Sequence, residues 1–384
     1  MKCVYLDHAA GSFPKAPGVA EAMAEAILHG GGNINRSTYG LSTDTALQVM
    51  EVREALAELF GCSKIEHVIF TPGATYSINA VLRGVLHRGD HLIISAMEHN
   101  AVWRTAKALE EEGVTLSVAE CDSEGFVKLP ELEGLFRAET KLVMIAHASN
   151  INGVIQDIPA ISEICSRHGV MLALDASQSA GHVPIDMGAL GVDALCFPGH
   201  KGLGGPQGIG GLLLSERMTE AIRPSVTGGT GSRSASEKMP NEYPDHLEPG
   251  TPNLPGIFGL GAALNHLNES GMAARREKEL ALTRRFLDGL SGCVGIRVPG
   301  PGAERRVGAI SVDFLGVDNA DAAARLEEDF GILTRCGLHC APLAHKSLGT
   351  YPQGSVRFSL GWSSSEAEVD AAVAAVKEIA NNKN

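Results

Sequence analysis

The sequence has few aromatic residues and a shortage of positive charge. Phe, Trp and Tyr make up 5% of its 384 residues, and 32 Lys and Arg face 45 Asp and Glu, for a formal net charge of −13. This balance argues against a general nucleic-acid or anionic-membrane binder, because phosphate contacts require clustered cations. No apolar run approaches the roughly 18 residues of a membrane span, and the N-terminus lacks a signal-peptide segment, so we expect a cytoplasmic protein.

Motifs typical of nucleotide and metal sites are also missing. The Gly-rich stretch 202–208 fails the G-x-G-x-x-G spacing because position 207 is Gln, and no G-x-x-x-x-G-K-[ST] is present, so neither a nicotinamide enzyme nor a P-loop NTPase is indicated. The eight Cys are scattered and predict free thiols rather than a disulfide framework. We predict no metal site, because no second C-x-x-C pair accompanies the clustered candidates Cys336, His339, Cys340 and His345.

Short apolar runs alternate with amphipathic stretches over the first 215 residues, in a chain that contains 45 Gly. The amphipathic stretches 75–86, 101–112 and 158–167 are predicted helices. The apolar runs predict strands at 67–70, 91–95, 114–119, 142–146, 170–175, 194–197 and 210–214. This alternation indicates an α/β fold with a mostly parallel, doubly wound sheet. Ligands of such sheets bind at the carboxyl ends of the strands.

The pattern changes after about residue 225. Residues 226–256 are rich in Gly, Pro and Ser and predict a long irregular connection, which is usually functional or disordered. A helical segment at roughly 259–290 then leads into a smaller α+β region. The last helix of that region is predicted to open with a capping box at Ser363–Glu366.

Two polar residues follow apolar strands in the first part of the chain. Lys201 lies beside His200 in a Gly-rich turn. A lone Lys is usually a solvated surface group, but a partly desolvated Lys has a lowered pKa and can form a Schiff base. Asp175 ends the run 170–175, where a carboxylate needs a partner. Such an Asp can keep a pyridine nitrogen protonated in a pyridoxal-phosphate site, and a helix N-cap is the alternative role.

A third segment, Thr71–Thr75, is a strand-to-helix turn that suits an anion such as a phosphate. The alternative is an ordinary N-cap Thr.

Together with these segments, a series of motifs in chain order resembles the class V aminotransferase family, and within it the cysteine desulfurase and selenocysteine lyase branch. The resemblance covers nearly the whole chain. Its motifs are residues 5–11, 70–79, 98–102, 148–153, 175–178, 199–201, 248–253, 335–340 and 356–360.

The resemblance implies the three-layer fold of type I enzymes that use pyridoxal 5'-phosphate (PLP). Residues 16–256 would form the large cofactor domain. Residues 1–15 and 257–384 would form a small domain that carries the nucleophile loop and a carboxylate-binding Arg.

The resemblance also implies roles for matched residues. Lys201 would form the Schiff base and shuttle the Cα proton, and His99 would stack on the pyridine ring. Other cofactor contacts would come from Ala74, Thr75, Asp175, Gln178 and His200, and from Thr251 of a neighbouring subunit in a homodimer. The substrate carboxylate would be held by Asn150, Arg335 and Arg357, with Arg357 as a bidentate fork. For Arg357 alone, a surface cation is the alternative.

Cys340 would be the nucleophile that accepts sulfur as a persulfide. It lies beside His339 and five residues after Arg335, a cationic setting that favours the thiolate. His339 is a candidate proton acceptor. Most free Cys are small buried hydrophobes, which is the alternative for any single one. Cys336 is a second thiol that the family pattern does not need.

Four positions depart from the family pattern: Pro198 replaces a phosphate-binding Ser, Asn35 and Leu338 replace His, and Ser363 replaces Asn. These departures leave substrate preference and sulfur acceptor open. The implied activity is conversion of L-cysteine to L-alanine with sulfur transfer to the enzyme, in a homodimer that passes sulfur to an acceptor protein. The alternatives are a selenocysteine lyase, or another PLP-dependent C–S lyase or aminotransferase-like enzyme without a persulfide. A non-catalytic sulfur-carrier protein is the alternative from another class.

Overall fold

The computed structural model describes residues 3–31, 34 and 39–381. Asn35, one of the positions that depart from the family pattern, lies outside these residues. The strands are β1 Val4–Tyr5, β2 Val68–Thr71, β3 His91–Ser95, β4 Thr115–Ala119, β5 Thr140–Ala146, β6 Met171–Asp175, β7 Ala194–Pro198, β8 Gly210–Leu214, β9 Ile296–Arg297, β10 Ala309–Phe314, β11 Ile332–Leu333, β12 Arg335–Gly337 and β13 Ser355–Ser359. The α-helices are α1 Val19–Leu28, α2 Gly40–Phe60, α3 Ala74–Val85, α4 Asn100–Glu111, α5 Leu129–Glu133, α6 Ile158–Arg167, α7 Glu216–Ala221, α8 Leu254–Ser270, α9 Met272–Leu290, α10 Asn319–Glu328, α11 Pro342–Ser347 and α12 Glu366–Asn381.

The large sheet contains seven strands within the described residues, in the order β2-β8-β7-β6-β5-β3-β4. Strands β3 to β7 pair in parallel, and β8 runs antiparallel between β7 and β2. Helices α3, α4 and α6 connect successive strands, as parallel pairing requires. The predicted α/β fold with a mostly parallel sheet is therefore confirmed, and each of the seven predicted runs is one of its strands.

Both faces of the large sheet are buried, because successive side chains of each strand point to opposite faces. Phe70 and Leu174 belong to a core that also contains side chains of α2, α6 and α8. Their neighbours Ile69 and Ala173 belong to a second core, with side chains of α3 and α4. The result is the three-layer arrangement that the family resemblance implied.

A smaller unit is built around an antiparallel sheet in the order β12-β13-β10-β9, with a parallel pair β1-β11 beside it. Leu6, near the start of the chain, shares its core with Phe358 and Ile379 near the end. We propose the division into residues 16–256 and residues 1–15 with 257–384. Helix α8 links the two units, because its Ile257 and Leu264 pack in the core of the large sheet.

The helical region before the small sheet differs from the sequence prediction. A single segment was expected at 259–290, but the chain breaks into α8 and α9 at Gly271, whose φ of 74° is one that residues with side chains rarely adopt. The capping box of α12 is also shifted. Ser365 N donates to Glu368 Oε2 at 2.8 Å and Glu368 N donates to Ser365 Oγ at 3.4 Å, rather than the pair Ser363–Glu366. Among the described residues, no helix is long and apolar enough to cross a membrane.

Candidate active site

The carboxyl ends of β2, β3, β5, β6 and β7 meet at one edge of the large sheet, where there is a cavity of about 800 Å³. The small sheet contributes β12 and β13 to the opposite wall. The resemblance gave twelve residues a catalytic, cofactor-binding or substrate-binding role, and ten of them line this cavity: Ala74, Thr75, His99, Asn150, Asp175, Gln178, His200, Lys201, Arg335 and Arg357. Cys340 and Thr251 do not.

The turn between β2 and α3 places the first backbone N–H groups of a twelve-residue helix at the cavity. Gly73 has a φ of 151°, and a Cβ built on it would meet nothing within 4 Å, because it faces open space. Thr71 Oγ1 and Ser77 Oγ lie 2.8 Å apart, and Ser77 Oγ donates to Gly211 O at 2.9 Å. These bonds fix the turn from behind and leave its N–H groups available to an anion.

Asp175 is the last residue of β6 and is 4% exposed. Its Oδ1 accepts a hydrogen bond from Ser177 N at 2.9 Å, so the second oxygen remains for another donor. Gln178 follows in the same turn, and its Nε2 donates to Ala9 O at 3.0 Å. The strand end therefore presents a buried carboxylate and an oriented amide to the cavity.

Lys201 lies in the turn after β7, on the same cavity. Burial lowers the pKa of Lys201 to about 8, an effect that Asp175 opposes and that Arg357 and Arg335 strengthen. Burial also lowers the pKa of His200 to about 4, so its ring is neutral at pH 7. An amine with a pKa near 8 can both accept and donate a proton in the neutral range, as a general acid–base group must.

His99 is the N-cap residue of α4, and its Nδ1 accepts a hydrogen bond from Ala101 N at 3.0 Å. Burial lowers the pKa of His99, and the neutral ring then carries its proton on Nε2. The preceding Glu98 is completely buried and accepts bonds from Ser95 Oγ at 2.6 Å and Ala146 N at 2.8 Å. Burial raises the pKa of Glu98 to about 8, so this carboxyl is protonated at pH 7.

The opposite wall carries two arginines on paired strands. Arg357 on β13 lies directly across from Arg335 on β12. Arg357 is 1% exposed; its Nη1 donates to Asn150 O at 3.0 Å and its Nη2 to Asp7 Oδ1 at 2.7 Å. Its Nε has no partner among the described residues. Asn150 Nδ2 donates to His339 O at 2.7 Å. The arginine pair is thus a positively charged wall with N–H donors left for a carboxylate.

Cys340 lies at the rim of the cavity, on the loop between β12 and α11. Its thiol is exposed, and Arg335 Nη2 lies 3.8 Å from its Sγ. Asn100 N donates to the Cys340 carbonyl at 2.7 Å, which ties the loop to the start of α4. Among the described residues, Arg335 is the one cation within hydrogen-bonding range of this sulfur, and it also lines the cavity.

His339 cannot be the proton acceptor that the sequence suggested for Cys340. Its Nε2 lies 3.0 Å from Arg335 O, and its Nδ1 lies 3.5 Å from His345 Nε2. Burial lowers the pKa of His339 to about 3, so the ring does not take up a proton near neutral pH. The hypothesis was wrong because sequence adjacency gives no information about where a side chain points. The charged group that contacts the Cys340 sulfur is instead the Arg335 guanidinium, with Nη2 3.8 Å from Sγ.

Thr251 lines a second cavity of about 500 Å³, which shares Pro72 and Tyr76 with the first. Its side chain is exposed, in the irregular segment before α8. A single chain therefore does not bring Thr251 to the cofactor residues, and its role at a neighbouring site stays a prediction.

The sequence reasoning missed several residues of the site. Asp7, the ion-pair partner of Arg357, lies 350 positions away in the chain, and no local pattern marks such a contact. Glu98 had a signal, since a carboxyl three residues after the apolar run 91–95 is costly to bury unless it has partners or is protonated. The outer wall is also lined by Tyr76, Asn79, Arg83, Ser225 and Val226.

The groups around the cavity fit PLP by their chemistry. The cofactor needs an amine for its aldehyde, an anion for its pyridine nitrogen, a flat contact for its ring and N–H donors for its phosphate. Lys201, Asp175, His99 and the turn at Gly73 supply these four groups within one cavity. A side chain at position 73 would project into open space at this turn, so Gly73 leaves that space free for a phosphate group. Pro198 lines the cavity as well and donates no hydrogen bond.

Comparisons with known proteins agree with this geometry. The Aminotransferase class-V profile matches residues 4–372. A probable cysteine desulfurase of Methanothermobacter thermautotrophicus is 32% identical over 381 residues, with 98% of this chain and 94% of the relative covered. Another from Halalkalibacterium halodurans is 35% identical, with 88% of this chain and 84% of the relative covered.

Solved structures give the same result. The apo structure of a cysteine desulfurase from Thermococcus onnurineus NA1 superposes with a TM-score of 0.91 at 31% identity, and covers 99% of this chain and 95% of its own. The cysteine desulfurase CsdA of Escherichia coli superposes with a TM-score of 0.87 at 28% identity, and covers 98% of this chain and 94% of its own. The chain therefore belongs to the class V aminotransferase family, in its cysteine desulfurase branch.

Proposed function

We propose that this protein is a PLP-dependent cysteine desulfurase that converts L-cysteine to L-alanine and retains the sulfur on Cys340 as a persulfide. The proposal rests above all on one observation: a thiol 3.8 Å from a guanidinium at the rim of a cavity that also contains Lys201 and Asp175. A PLP enzyme that only exchanges amino groups needs no such thiol.

The residues around the cavity would each hold one part of the cofactor. The phosphate would be held by the start of α3, with Ala74 and Thr75, and by the side chain of His200. Asp175 and Gln178 would bind the polar atoms of the pyridine ring. His99 would lie against the ring face. When bound, PLP acts as an electron sink that stabilises negative charge at the substrate Cα.

Substrate would bind through its carboxylate against the arginine wall. Arg357 is held rigidly by Asn150 O and Asp7, so it is already oriented when substrate arrives, and Arg335 adds a second positive charge. Lys201 would take the proton from Cα, since its lowered pKa of about 8 leaves a fraction of the amine neutral at pH 7.

Sulfur transfer would then be a displacement at the substrate sulfur. The Cys340 thiolate attacks that sulfur, an S–S bond forms, and the Cβ–S bond breaks with its electron pair left on carbon. Protonation of that carbon, and return of a proton to Cα with Lys201 as the donor, would then yield alanine. Cysteine plus the enzyme thiol give alanine plus the enzyme persulfide, so no external oxidant or reductant is needed.

The partners follow from the same chemistry. An exposed Cys340 can pass its sulfur to an acceptor protein, with iron–sulfur cluster assembly as one destination. A homodimer would bring Thr251 of one subunit to the phosphate side of the other, next to the shared wall of Pro72 and Tyr76. All eight Cys are free thiols, which suits the reducing conditions of a cytoplasmic protein.

The test compares Cys340→Ser with Cys336→Ser in the PLP-loaded enzyme. Cys336 is a matched control because it lies opposite Val356, a residue of the small-domain core, and so points to the face of β12 away from the arginines. We expect alanine formation and the trapped persulfide to collapse in Cys340→Ser and to stay at the wild-type level in Cys336→Ser. The visible absorbance of bound PLP should be the same in all three proteins.

Persistent alanine formation in Cys340→Ser would overturn the proposal. Running the same assay with selenocysteine separates the nearest alternative, because a selenocysteine lyase would release alanine from that substrate without a requirement for Cys340. Absence of PLP absorbance after reconstitution would favour the non-catalytic sulfur-carrier alternative.

A further inference from the structure

The nucleophile loop has an unusual backbone. His339 and Cys340 have φ values of 48° and 60°, in the left-handed region where a side chain costs roughly 1–2 kcal/mol per residue. Two consecutive non-glycine residues in this region persist only where the surroundings hold them. The groups that hold them therefore determine where the Cys340 thiol lies.

A chain of side-chain hydrogen bonds runs behind this loop. His339 Nε2 lies 3.0 Å from Arg335 O, His339 Nδ1 lies 3.5 Å from His345 Nε2, and His345 Nδ1 lies 2.7 Å from Thr350 Oγ1. The centroids of the two imidazole rings are 5.7 Å apart and their planes are inclined by 23°, which suits a hydrogen bond made in the ring planes. His345 is 0% exposed and does not line the cavity.

The carbonyl of Arg335, at one end of this chain of hydrogen bonds, determines which atom donates in each bond. A carbonyl only accepts, so His339 Nε2 donates to Arg335 O. The Nδ1 of a neutral His339 must then accept, which makes His345 Nε2 a donor. His345 Nδ1 in turn accepts from the Thr350 hydroxyl. Burial lowers the pKa of both rings, to about 3 for His339 and about 4 for His345, which is consistent with this neutral arrangement.

We propose that His345 is a positioning residue, which acts through His339 to hold Cys340 in its left-handed conformation with the thiol beside Arg335. His345 lies on α11, immediately after the loop, and its own backbone carbonyl accepts from Thr350 N at 2.9 Å. The Thr350 end of the chain is therefore anchored independently of the loop. This role of His345 rests on the proposed function in one respect, because it takes Cys340 to be the nucleophile.

The test uses the PLP-loaded enzyme and two variants of His345. His345→Leu removes both hydrogen bonds, and His345→Gln keeps an N–H donor for His339. His91 supplies the matched control, because it is equally buried and bonds Thr140 Oγ1 at 2.8 Å and Ser117 Oγ at 2.9 Å at the opposite edge of the large sheet. The readouts are the rate of Cys340 alkylation by iodoacetamide, followed on the Cys340 peptide by mass spectrometry, and kcat and KM for cysteine.

We expect His345→Leu to slow Cys340 alkylation and lower kcat by about tenfold, the factor that corresponds to one buried hydrogen bond, with KM unchanged. His345→Gln should recover most of both rates. His91→Leu should lower the melting temperature but leave alkylation and kcat at the wild-type level. Thr350→Val, which replaces the hydroxyl with a methyl group and keeps the branched shape, should show the same defect as His345→Leu in a milder form and serves if that variant does not fold.

Alkylation of Cys340 at the wild-type rate in His345→Leu or, if that fails to fold, in Thr350→Val would overturn the proposal. So would a His345→Gln variant no better than His345→Leu, or an equal loss in His91→Leu. This result is separable from that of the desulfurase assay. Alkylation reports on the loop even if alanine formation proves independent of Cys340, and the desulfurase activity can be real while the loop is indifferent to His345.

Discussion

Lys201 and Cys340 lie in regions that the chain fixes in different ways. Lys201 follows a strand buried on both faces, and Asp175 beside it ends the neighbouring parallel strand. The position of this pair therefore follows from the topology of the large sheet. Cys340 lies on a short loop of the small unit, in a left-handed conformation, held by hydrogen bonds to Asn100 and by the contacts of His339.

This difference separates two tasks. The cofactor region must keep a lysine, a carboxylate and a phosphate turn in fixed relation, which parallel strand ends achieve without any particular side-chain contact. In the proposed mechanism, Cys340 meets the substrate sulfur and then an acceptor outside the cavity, which requires exposure. A loop held by a few side-chain bonds provides exposure and a defined position together, but a single substitution can disturb it.

The largest predicted effect distinguishes the chemical step at Lys201 from the step at Cys340. Lys201→Ala removes the proton acceptor at Cα, so exchange of the Cα proton with solvent and sulfur release should both fall by about 10²–10⁴-fold, the usual contribution of such a group. Cys340→Ala should lose sulfur release alone and keep Cα exchange. Deuterium incorporation into cysteine, measured by NMR, makes the distinction. Equal loss of exchange in both variants would contradict the separation of the two regions.

Arg357 lies where the two regions meet, and its replacement by Lys should give the next largest effect. Lysine keeps the charge but cannot present a planar fork to a carboxylate while also bonding Asp7 and Asn150 O. We expect kcat/KM for cysteine to fall by about 10- to 100-fold through KM, as for a lost charged hydrogen bond. Arg306→Lys is the control, since Arg306 is equally buried but does not line the cavity. A KM effect of the same size there would refute the assignment.

The buried carboxyl of Glu98 should make the stability of the cofactor region depend on pH. Its folded pKa of about 8 is above the ordinary 4.5, so between these values the folded state holds a proton that the unfolded state has released. Stability should therefore fall as pH rises through this window, by at most about 1.4 kcal/mol per pH unit from this group. Glu98→Gln should remove the dependence, while Glu111→Gln, at an exposed position, should not. Parallel curves of melting temperature against pH for wild type and Glu98→Gln would contradict this.

The sequence predicted the cofactor region far better than the loop, for physical reasons. Asp175 and Lys201 follow uninterrupted apolar runs, and such runs determine both the strand and the point at which polar groups begin. The placement of Cys340 depends on Asn100, Asn150 and the ring of His339, contacts that span up to 240 residues along the chain. No periodicity encodes them.

Individual residues show the same limit. His345 was weighed in the sequence as a metal ligand, since only its spacing from Cys336 and Cys340 was visible; among the described residues no cluster suited to a metal is found. In the structure it bonds Thr350 and His339 instead. Gly271 could have been recognised as a break, because glycine disfavours a helix interior by about 1 kcal/mol relative to Ala, yet the apolar pattern on both sides of it continued.

The smallest predicted effect concerns Arg335, the cavity residue whose guanidinium lies beside the Cys340 thiol. Its Nη2 lies 3.8 Å from Cys340 Sγ, and a unit charge at about 4 Å in a solvent-exposed setting contributes about 1 kcal/mol. Arg335→Gln should therefore slow alkylation of Cys340 by about fivefold at pH 7. The effect should shrink at high salt, which screens exposed charges. Arg83→Gln, on the far wall of the same cavity, is the control for a general change in cavity charge. If both variants slow alkylation equally, the total charge of the cavity, rather than the Arg335 contact, determines the reactivity of the thiol. The reactivity of the Cys340 loop would then depend on the cofactor region, although the two regions are held in place by different contacts.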